Sequence, residues 1–222
     1  MGNVDQFVKR LLELDSCAVS DALDSLGLDG AVSGIKCLST DQRIAGRVMT
    51  VKLGSDEPVS GSIRHLCSGA IEAAGQGDII VVEQLTGIDA AGWGGVLSAA
   101  AKHKGLTGVI LEGPARDIDE SRALGFPVYA RYATARTARG RIYEQDFNCP
   151  ITVGNVEVIP GDLVIADASA VVFISLQRVK AVLEAAERIT AKEALMIEAL
   201  QKGRPAGEVM GADYESMLDK TD

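Results

Sequence analysis

The chain is poor in histidine, closely spaced cysteine, positive charge and long apolar runs, and each shortage closes off a class of function. His65 and His103 are its only histidines, so no site can be built on three imidazoles. Cys17, Cys37, Cys67 and Cys149 are widely separated, without the close pairs that zinc sites use. They suit small buried apolar positions. Lys and Arg number 22 against 31 Asp and Glu, a net charge of −9. A protein that tracks nucleic-acid phosphates needs a basic face, so no nucleic-acid partner is expected. No apolar run approaches the roughly 18 residues that a membrane span requires. The opening residues Met1 to Phe7 contain no apolar signal core, and Gln6 breaks the myristoylation pattern. A cytoplasmic location with free thiols is the expectation.

What the chain does have is apolar content, 47 % over 222 residues, ample for one core and too much for a disordered chain. A single domain over residues 1–205 and a loosely held tail over 206–222 are expected. Val4, Phe7, Val8, Leu11 and Leu14 are spaced for one helix face. Asp15-Ser16 suits the cap of a second helix, stopped at Gly27. Residues 43–53 have a strand pattern and 61–74 a helical one.

The middle third is the most regular. The buried run Ile79 to Val82 leads through a glycine-rich turn into the Ala-rich helix 96–104, closed by Gly105. A second buried run, Gly108 to Leu111, precedes an acidic helix start at Asp117, closed by Gly125, and a third strand over 126–130. Such a β-α-β-α-β order folds into a parallel sheet segment. Strands return over 151–174, and a long amphipathic helix runs over about 176–202.

Ligands of parallel sheets collect where strands end and helices begin. One such place is Gly92-Trp93-Gly94-Gly95-Val96-Leu97, where glycines admit a close backbone approach and the first helical amides lack internal acceptors. Free amides and the helix dipole favour an anion such as a carboxylate, although a tight turn with close packing explains the glycines equally well. Position 97 is Leu, so the dinucleotide fingerprint is absent. The other place is Glu112 to Glu120. There the planar fork of Arg116 suits a carboxylate, and Asp117 suits Mg²⁺ held largely through water. A surface ion pair and a helix cap are the plainer reading of these two residues. Trp93 suits either a pocket wall or packing. Both histidines fall in expected helices and suit surface or packing roles.

Gly94-Gly95-Val96-Leu97 followed by Gly113-Pro114-Ala115-Arg116-Asp117 resembles the RraA-like family of class II 4-hydroxy-4-methyl-2-oxoglutarate/4-carboxy-4-hydroxy-2-oxoadipate aldolases and ribonuclease regulators. Ser20-Asp21-Ala22-Leu23, Arg43-Ile44-Ala45-Gly46, Gly125-Phe126-Pro127-Val128, Gly140-Arg141 and Pro160 to Asp167 also fit. The resemblance spans about residues 14–203. It implies an α/β fold, an α-β-β-α sandwich with a long C-terminal helix. It also implies homotrimers or hexamers with sites between subunits. By the same resemblance, amides of Gly94, Gly95, Val96 and Leu97 bind the pyruvoyl end of a 2-oxo acid. Arg116 holds the keto acid and Asp117 anchors Mg²⁺ or Mn²⁺. The expected activity is a metal-dependent carbon–carbon lyase passing through a pyruvate enolate.

One position departs from the family. Its lyases have an acid separated from Arg-Asp by twenty intervening residues, which falls here on Gly95. Glu112, Asp119 and Glu120 are candidate replacements. The departure keeps two alternatives open: a dehydratase or isomerase of a hydroxy acid, or a non-enzymatic regulator of an RNA-degrading enzyme. A second departure is Asp167-Ala168, where the family often has Asp-Gly.

Overall fold

Residues 2–57 and 65–211 are described by the computed structural model. In chain order they form α1 (Gly2–Leu12), α2 (Ser16–Ser25), β1 (Ala31–Val32), β2 (Lys36–Cys37), β3 (Ile44–Gly54), α3 (Ser68–Ala73), β4 (Ile79–Glu83), α4 (Gly95–Lys104), β5 (Gly108–Glu112) and β6 (Pro114–Ala115). These are followed by α5 (Ile118–Leu124), β7 (Val128–Ala130), β8 (Tyr132–Ala133), β9 (Tyr143–Phe147), β10 (Ile151–Val153), β11 (Val156–Val158), β12 (Leu163–Ala166), β13 (Val171–Ile174), α6 (Val179–Gln201) and α7 (Ala206–Val209).

The main sheet runs β1-β13-β12-β3-β4-β5-β7-β2, with β9 added antiparallel to the far end of β3. The strands β3, β4, β5 and β7 are parallel, whereas β12, β13 and β1 pair antiparallel. Successive strand side chains point to opposite faces, and the burial shows where each face goes. Ile80 and Val82 of β4 pack outward with Leu97, Ala101 and Trp93, under α3 and α4. Leu163 and Ile165 of β12 pack outward with Val19, Leu23, Val182 and Leu183, under α2 and α6. The alternate residues, Ile79 and Val81 on one side and Val164 and Ala166 on the other, share one inner core. The β10–β11 hairpin contributes Ile151, Val153 and Val158 to that core. Both halves of the sheet therefore curl around a common interior, with helices outside each: helix, sheet, sheet, helix.

Capping follows the sequence closely. Asp15 accepts the Ala18 amide at 2.8 Å to start α2, and α4 ends on Gly105 at φ 82°, the left-handed conformation that glycine adopts most readily. Some boundaries differ. The third parallel strand starts at Val128, because Phe126 is recruited to the outer core beside Trp93, their rings stacked at 6.3 Å. Of the helix expected over 61–74, Ser68–Ala73 is helical, while 61–64 lie outside the described residues. The tail contains the short α7, and 212–222 lie outside the described residues. Of the four cysteines only Cys67 is fully buried, and Cys17 is exposed. No helix among the described residues is long and apolar enough to cross a membrane.

Candidate active site

Two adjoining crossover turns build the site. After β4, the backbone passes Gly92, whose amide donates to the Pro114 carbonyl at 3.0 Å, and Trp93, whose carbonyl accepts from the Arg116 amide at 2.9 Å. These bonds lay the glycine turn alongside the segment that follows β5, so residues twenty positions apart in sequence become neighbours. Glycine is needed at 92, because a Cβ there would stand 2.7 Å from Gln84 Oε1. Trp93 fills both roles considered for it. It lines the cleft yet is 1 % exposed, with Nε1 donating to Ser98 Oγ at 2.9 Å.

Asp117 precedes α5 in the left-handed conformation, φ 55° and ψ 45°, which is uncommon for a residue with a Cβ. This conformation turns its side chain away from its own helix and toward the start of α4. Its Oδ2 accepts the Gly95 amide at 3.0 Å and lies 3.1 Å from Arg116 Nε. The expected cap of α5 is thus a cap of α4. Backbone strain of this kind clusters at functional sites.

Arg116, Asp117, Gly94, Val96 and Leu97 line one cleft of about 170 Å³. Gly95 is buried beneath it and its amide is already engaged by Asp117. The amides of Val96 and Leu97, in the first turn of α4, have no intrahelical acceptor. Both Nη groups of Arg116 are without an acceptor among the described residues, Nε alone bonding Asp117. A carboxylate entering here meets a guanidinium fork and the positive end of a helix.

The acids proposed to stand in for Gly95 separate clearly. Glu112 is paired to Arg131 through two bonds of 2.7 Å and also accepts the Gly154 amide. Asp119 pairs with Arg122 at the surface. Glu120 is exposed and unpaired among the described residues, and it lines a second cleft against Arg116 and Asp117. A Cβ placed on Gly95 would lie 3.1 Å from Glu120 Cβ. With Asp117 Cβ at 3.2 Å on the same count, the stems of Glu120 and Asp117 together crowd the space just beyond Gly95.

His65, Leu66, Thr137, Ala138 and Arg139 also face the first cleft, and sequence reasoning had not placed them there. His65 stands ahead of α3 rather than within it, because Cys67 takes a left-handed conformation, φ 65°, and delays the helix to Ser68. The signal for Arg139 was visible: Arg131, Arg136, Arg139 and Arg141 fall in a stretch with no acid between Glu120 and Glu144.

A family profile described as RraA-like, Aldolase/RraA, matches residues 16–173. The chain belongs to the RraA-like family. Protein DlpA of Legionella pneumophila is 27 % identical over 196 residues, covering 88 % of this chain; the chain spans only about a third, 32 %, of that protein. A Halalkalibacterium halodurans protein provisionally named 4-hydroxy-4-methyl-2-oxoglutarate aldolase is 31 % identical over 186 residues, 82 % of each chain. The crystal structure of Streptomyces coelicolor RraAS2, described as an unusual member of the RNase ES inhibitor RraA family, shares the fold. Its TM-score is 0.74 at 24 % identity, over 90 % of this chain and 96 % of that one. The RraA-like match includes both crossover turns and ends within β13, before α6.

Proposed function

We propose that this protein is a divalent-metal-dependent lyase, of aldolase or decarboxylase type, acting on a 2-oxo acid through a pyruvate-enolate-like intermediate. The observation that carries the reading is the convergence of Arg116 and Asp117 on one cleft with the open amides of α4. A relative named for an aldolase of a 2-oxo acid supports it.

The donor set fits a hydrated cation. Asp117 Oδ1 has lone pairs left after Arg116 Nε, and no group of three or more His, Cys, Asp or Glu that could hold a metal exists among the described residues. One carboxylate with several waters is how Mg²⁺ is commonly held, and Mn²⁺ suits the same oxygen ligands. When bound, the ion supplies Lewis-acid polarisation of the keto oxygen. The rest falls to the chain. Arg116 binds the substrate carboxylate with its two Nη groups, and the Val96 and Leu97 amides orient it. As the C3–C4 bond breaks, its electron pair enters the enolate, and the guanidinium and helix dipole stabilise the new charge. In retro-aldol cleavage the C4 hydroxyl proton must leave and C3 must then be protonated. Glu120, which borders Arg116 and Asp117 in the adjoining cleft, is the carboxylate assigned to that transfer in this reading. Decarboxylation of oxaloacetate yields the same enolate with loss of CO2.

The Val96 side chain, 85 % exposed at the rim of the cleft, supports further copies packing against this face, as a trimer or hexamer. Purified protein incubated with Mg²⁺ or Mn²⁺ and a panel of 2-oxo diacids tests the reaction. Metal-dependent pyruvate release, lost in Arg116→Ala, is expected. Loss of water instead of a carbon fragment, followed by mass spectrometry, would favour a dehydratase, the alternative that Gly95 motivates. No metal-dependent product at all would leave the regulator reading.

A further inference from the structure

Of the chain's two histidines, His103 sits in the last turn of α4, at the opposite end of that helix from the cleft, whereas His65 lines the cleft itself beside Arg116 and Asp117. The corner that carries His65 is tied down. Cys67 is fully buried at φ 65°, its amide donates to Glu144 Oε2 at 2.6 Å, and its thiol donates to the Gly92 carbonyl at 3.7 Å. The corner is thus anchored on β9 and on the glycine turn of the site. The His65 carbonyl accepts the Ser68 hydroxyl at 2.6 Å and the Ser68 amide at 3.1 Å. Among the described residues three besides glycine have a positive φ: Cys67, Asp117 and Asn148. Asparagine tolerates that conformation. The other two stand at this cleft, and strain held in place by surrounding bonds is a mark of functional sites.

The ring of His65 is oriented as well. Its Nδ1 lies 3.0 Å from the Leu66 carbonyl. A carbonyl oxygen can only accept, so Nδ1 carries a proton and Nε2 of the neutral ring keeps a free lone pair. The other ionisable groups on the cleft wall are ill suited to moving a proton. The arginines stay protonated, and Asp117 is engaged by the Gly95 amide and Arg116. Glu120 belongs to the adjoining cleft. His65 is exposed, so its ring exchanges protons with water.

We propose that His65 is the catalytic acid that protonates C3 of the enolate. The proposal rests on the lyase reading of the site and divides its two proton transfers between two groups. In retro-aldol cleavage the C4 hydroxyl proton passes to Glu120, and the C3–C4 electron pair enters the enolate. C3 then takes the Nε2 proton of the His65 imidazolium. The ring is left neutral, with its Nδ1 proton still on the Leu66 carbonyl. Water reprotonates it and receives the proton held by Glu120, so no net proton is consumed. In decarboxylation the departing CO2 leaves the same electron pair, and His65 alone is required. Run in reverse on pyruvate, Nε2 removes a methyl proton and returns one drawn from solvent.

That reverse step gives the test: proton NMR of pyruvate in D2O with the full chain and Mg²⁺, following loss of the methyl signal, beside a titration of pyruvate binding. His65→Asn keeps an NH2 donor for the Leu66 carbonyl, so the corner is preserved while the proton carrier is removed. Its exchange rate at saturating pyruvate is expected to fall about 10²-fold or more, with pyruvate affinity unchanged. His103→Asn should exchange at the wild-type rate. Exchange by His65→Asn as fast as that of the wild type overturns the assignment and leaves the lyase standing. So does a loss that saturating pyruvate repairs, which would make His65 a binding group. The lyase reading fails separately: if the wild type exchanges and His65→Asn does not, yet no oxo diacid releases pyruvate, His65 remains the proton carrier of an enolising site and the cleavage reaction is lost.

Discussion

Asp117 and Asp167 do the same structural job on opposite halves of the molecule, and the contrast shows what leaves one carboxylate open toward a cleft and commits the other to the fold. Each accepts the first amide of a helix to which it does not belong. Asp167, after β12, takes the Ser16 amide at 2.8 Å and the Ser16 hydroxyl at 2.7 Å, capping α2, and adds the Ser169 amide at 2.9 Å. Asp117 takes one amide, from Gly95, and one arginine. The Asp167 side chain is 12 % exposed and that of Asp117 31 %. Asp167 is thus nearly saturated by its own chain, whereas Asp117 keeps accepting capacity toward a cleft. The difference also fixes their electrostatics. Burial pushes the Asp167 carboxyl up, but the Ser16 hydroxyl and the backbone amides around it outweigh burial and hold it below the ordinary carboxylate value.

Exchanging each aspartate for asparagine separates the two roles and has the largest expected effect. Asp117→Asn keeps an oxygen for the Gly95 amide, so the melting temperature should scarcely move, while metal-dependent turnover falls about 10²–10³-fold. Asp167→Asn should do the opposite. It places an NH2 group among donors and removes a charge-assisted acceptor, costing about 1–3 kcal/mol of stability at neutral pH with activity retained at low temperature. Because folding lowers the Asp167 pKa, its contribution is complete above the unfolded value near 3.9 and is lost as pH falls through the folded value. Wild type and Asp167→Asn should therefore converge in denaturant midpoint as the solution is acidified below about pH 4. Divergence in acid would show that another group governs that half.

The next largest effect belongs to Glu120. If it transfers the proton that no side chain at Gly95 can, Glu120→Gln lowers kcat about 10²-fold with little change in KM. An unchanged kcat would return proton transfer to water or to a group of another subunit. Gly94→Ala sharpens the comparison from the backbone side. Its Cβ would stand 2.7 Å from Asp117 Oδ2, and what must move is the end of a side chain. Stability should drop by less than about 1 kcal/mol, since alanine tolerates the extended backbone found there, φ −154°. Turnover should fall about tenfold as the carboxylate is displaced.

Much of this was legible before any coordinates, for definite reasons. Ile79 to Val82 and Gly108 to Leu111 are buried on both faces, so each is an unbroken apolar run that declares itself. The glycine turn and Arg116-Asp117 stood out because both follow such runs. The edge strand β9, Tyr143-Glu144-Gln145-Asp146-Phe147, had no alternation to read. It pairs with β3 across a register shift at Lys52/Leu53 and buries no residue fully. The two-residue strands β1, β2, β6 and β8 are backbone pairings whose side chains carry no pattern. The acid-free arginine stretch is visible in the sequence, but which of its members reaches the cleft depends on the Ala91 and Thr134 amides bonding distant carbonyls, and no local spacing encodes that. Periodicity reports what a segment buries, whereas a site's rim is set by where loops are tied down.

The smallest expected effect is the most discriminating control. Asp119 neighbours Glu120 in sequence and was an equal candidate for the missing acid, but its side chain is 91 % exposed and pairs with Arg122 one turn along α5. An exposed pair of this kind is worth about 0–1 kcal/mol. Asp119 also lies at the start of α5, where a negative charge is mildly favourable. Asp119→Asn should thus change stability by no more than about 1 kcal/mol and leave kcat and KM as they are. The paired measurement matters because the two acids share a helix turn and a local potential. A general electrostatic effect of α5 on the cleft would move both variants together, whereas a proton carrier acting through contact moves Glu120→Gln alone. If Asp119→Asn lost as much turnover as Glu120→Gln, the Glu120 carboxylate would owe its effect to charge rather than position.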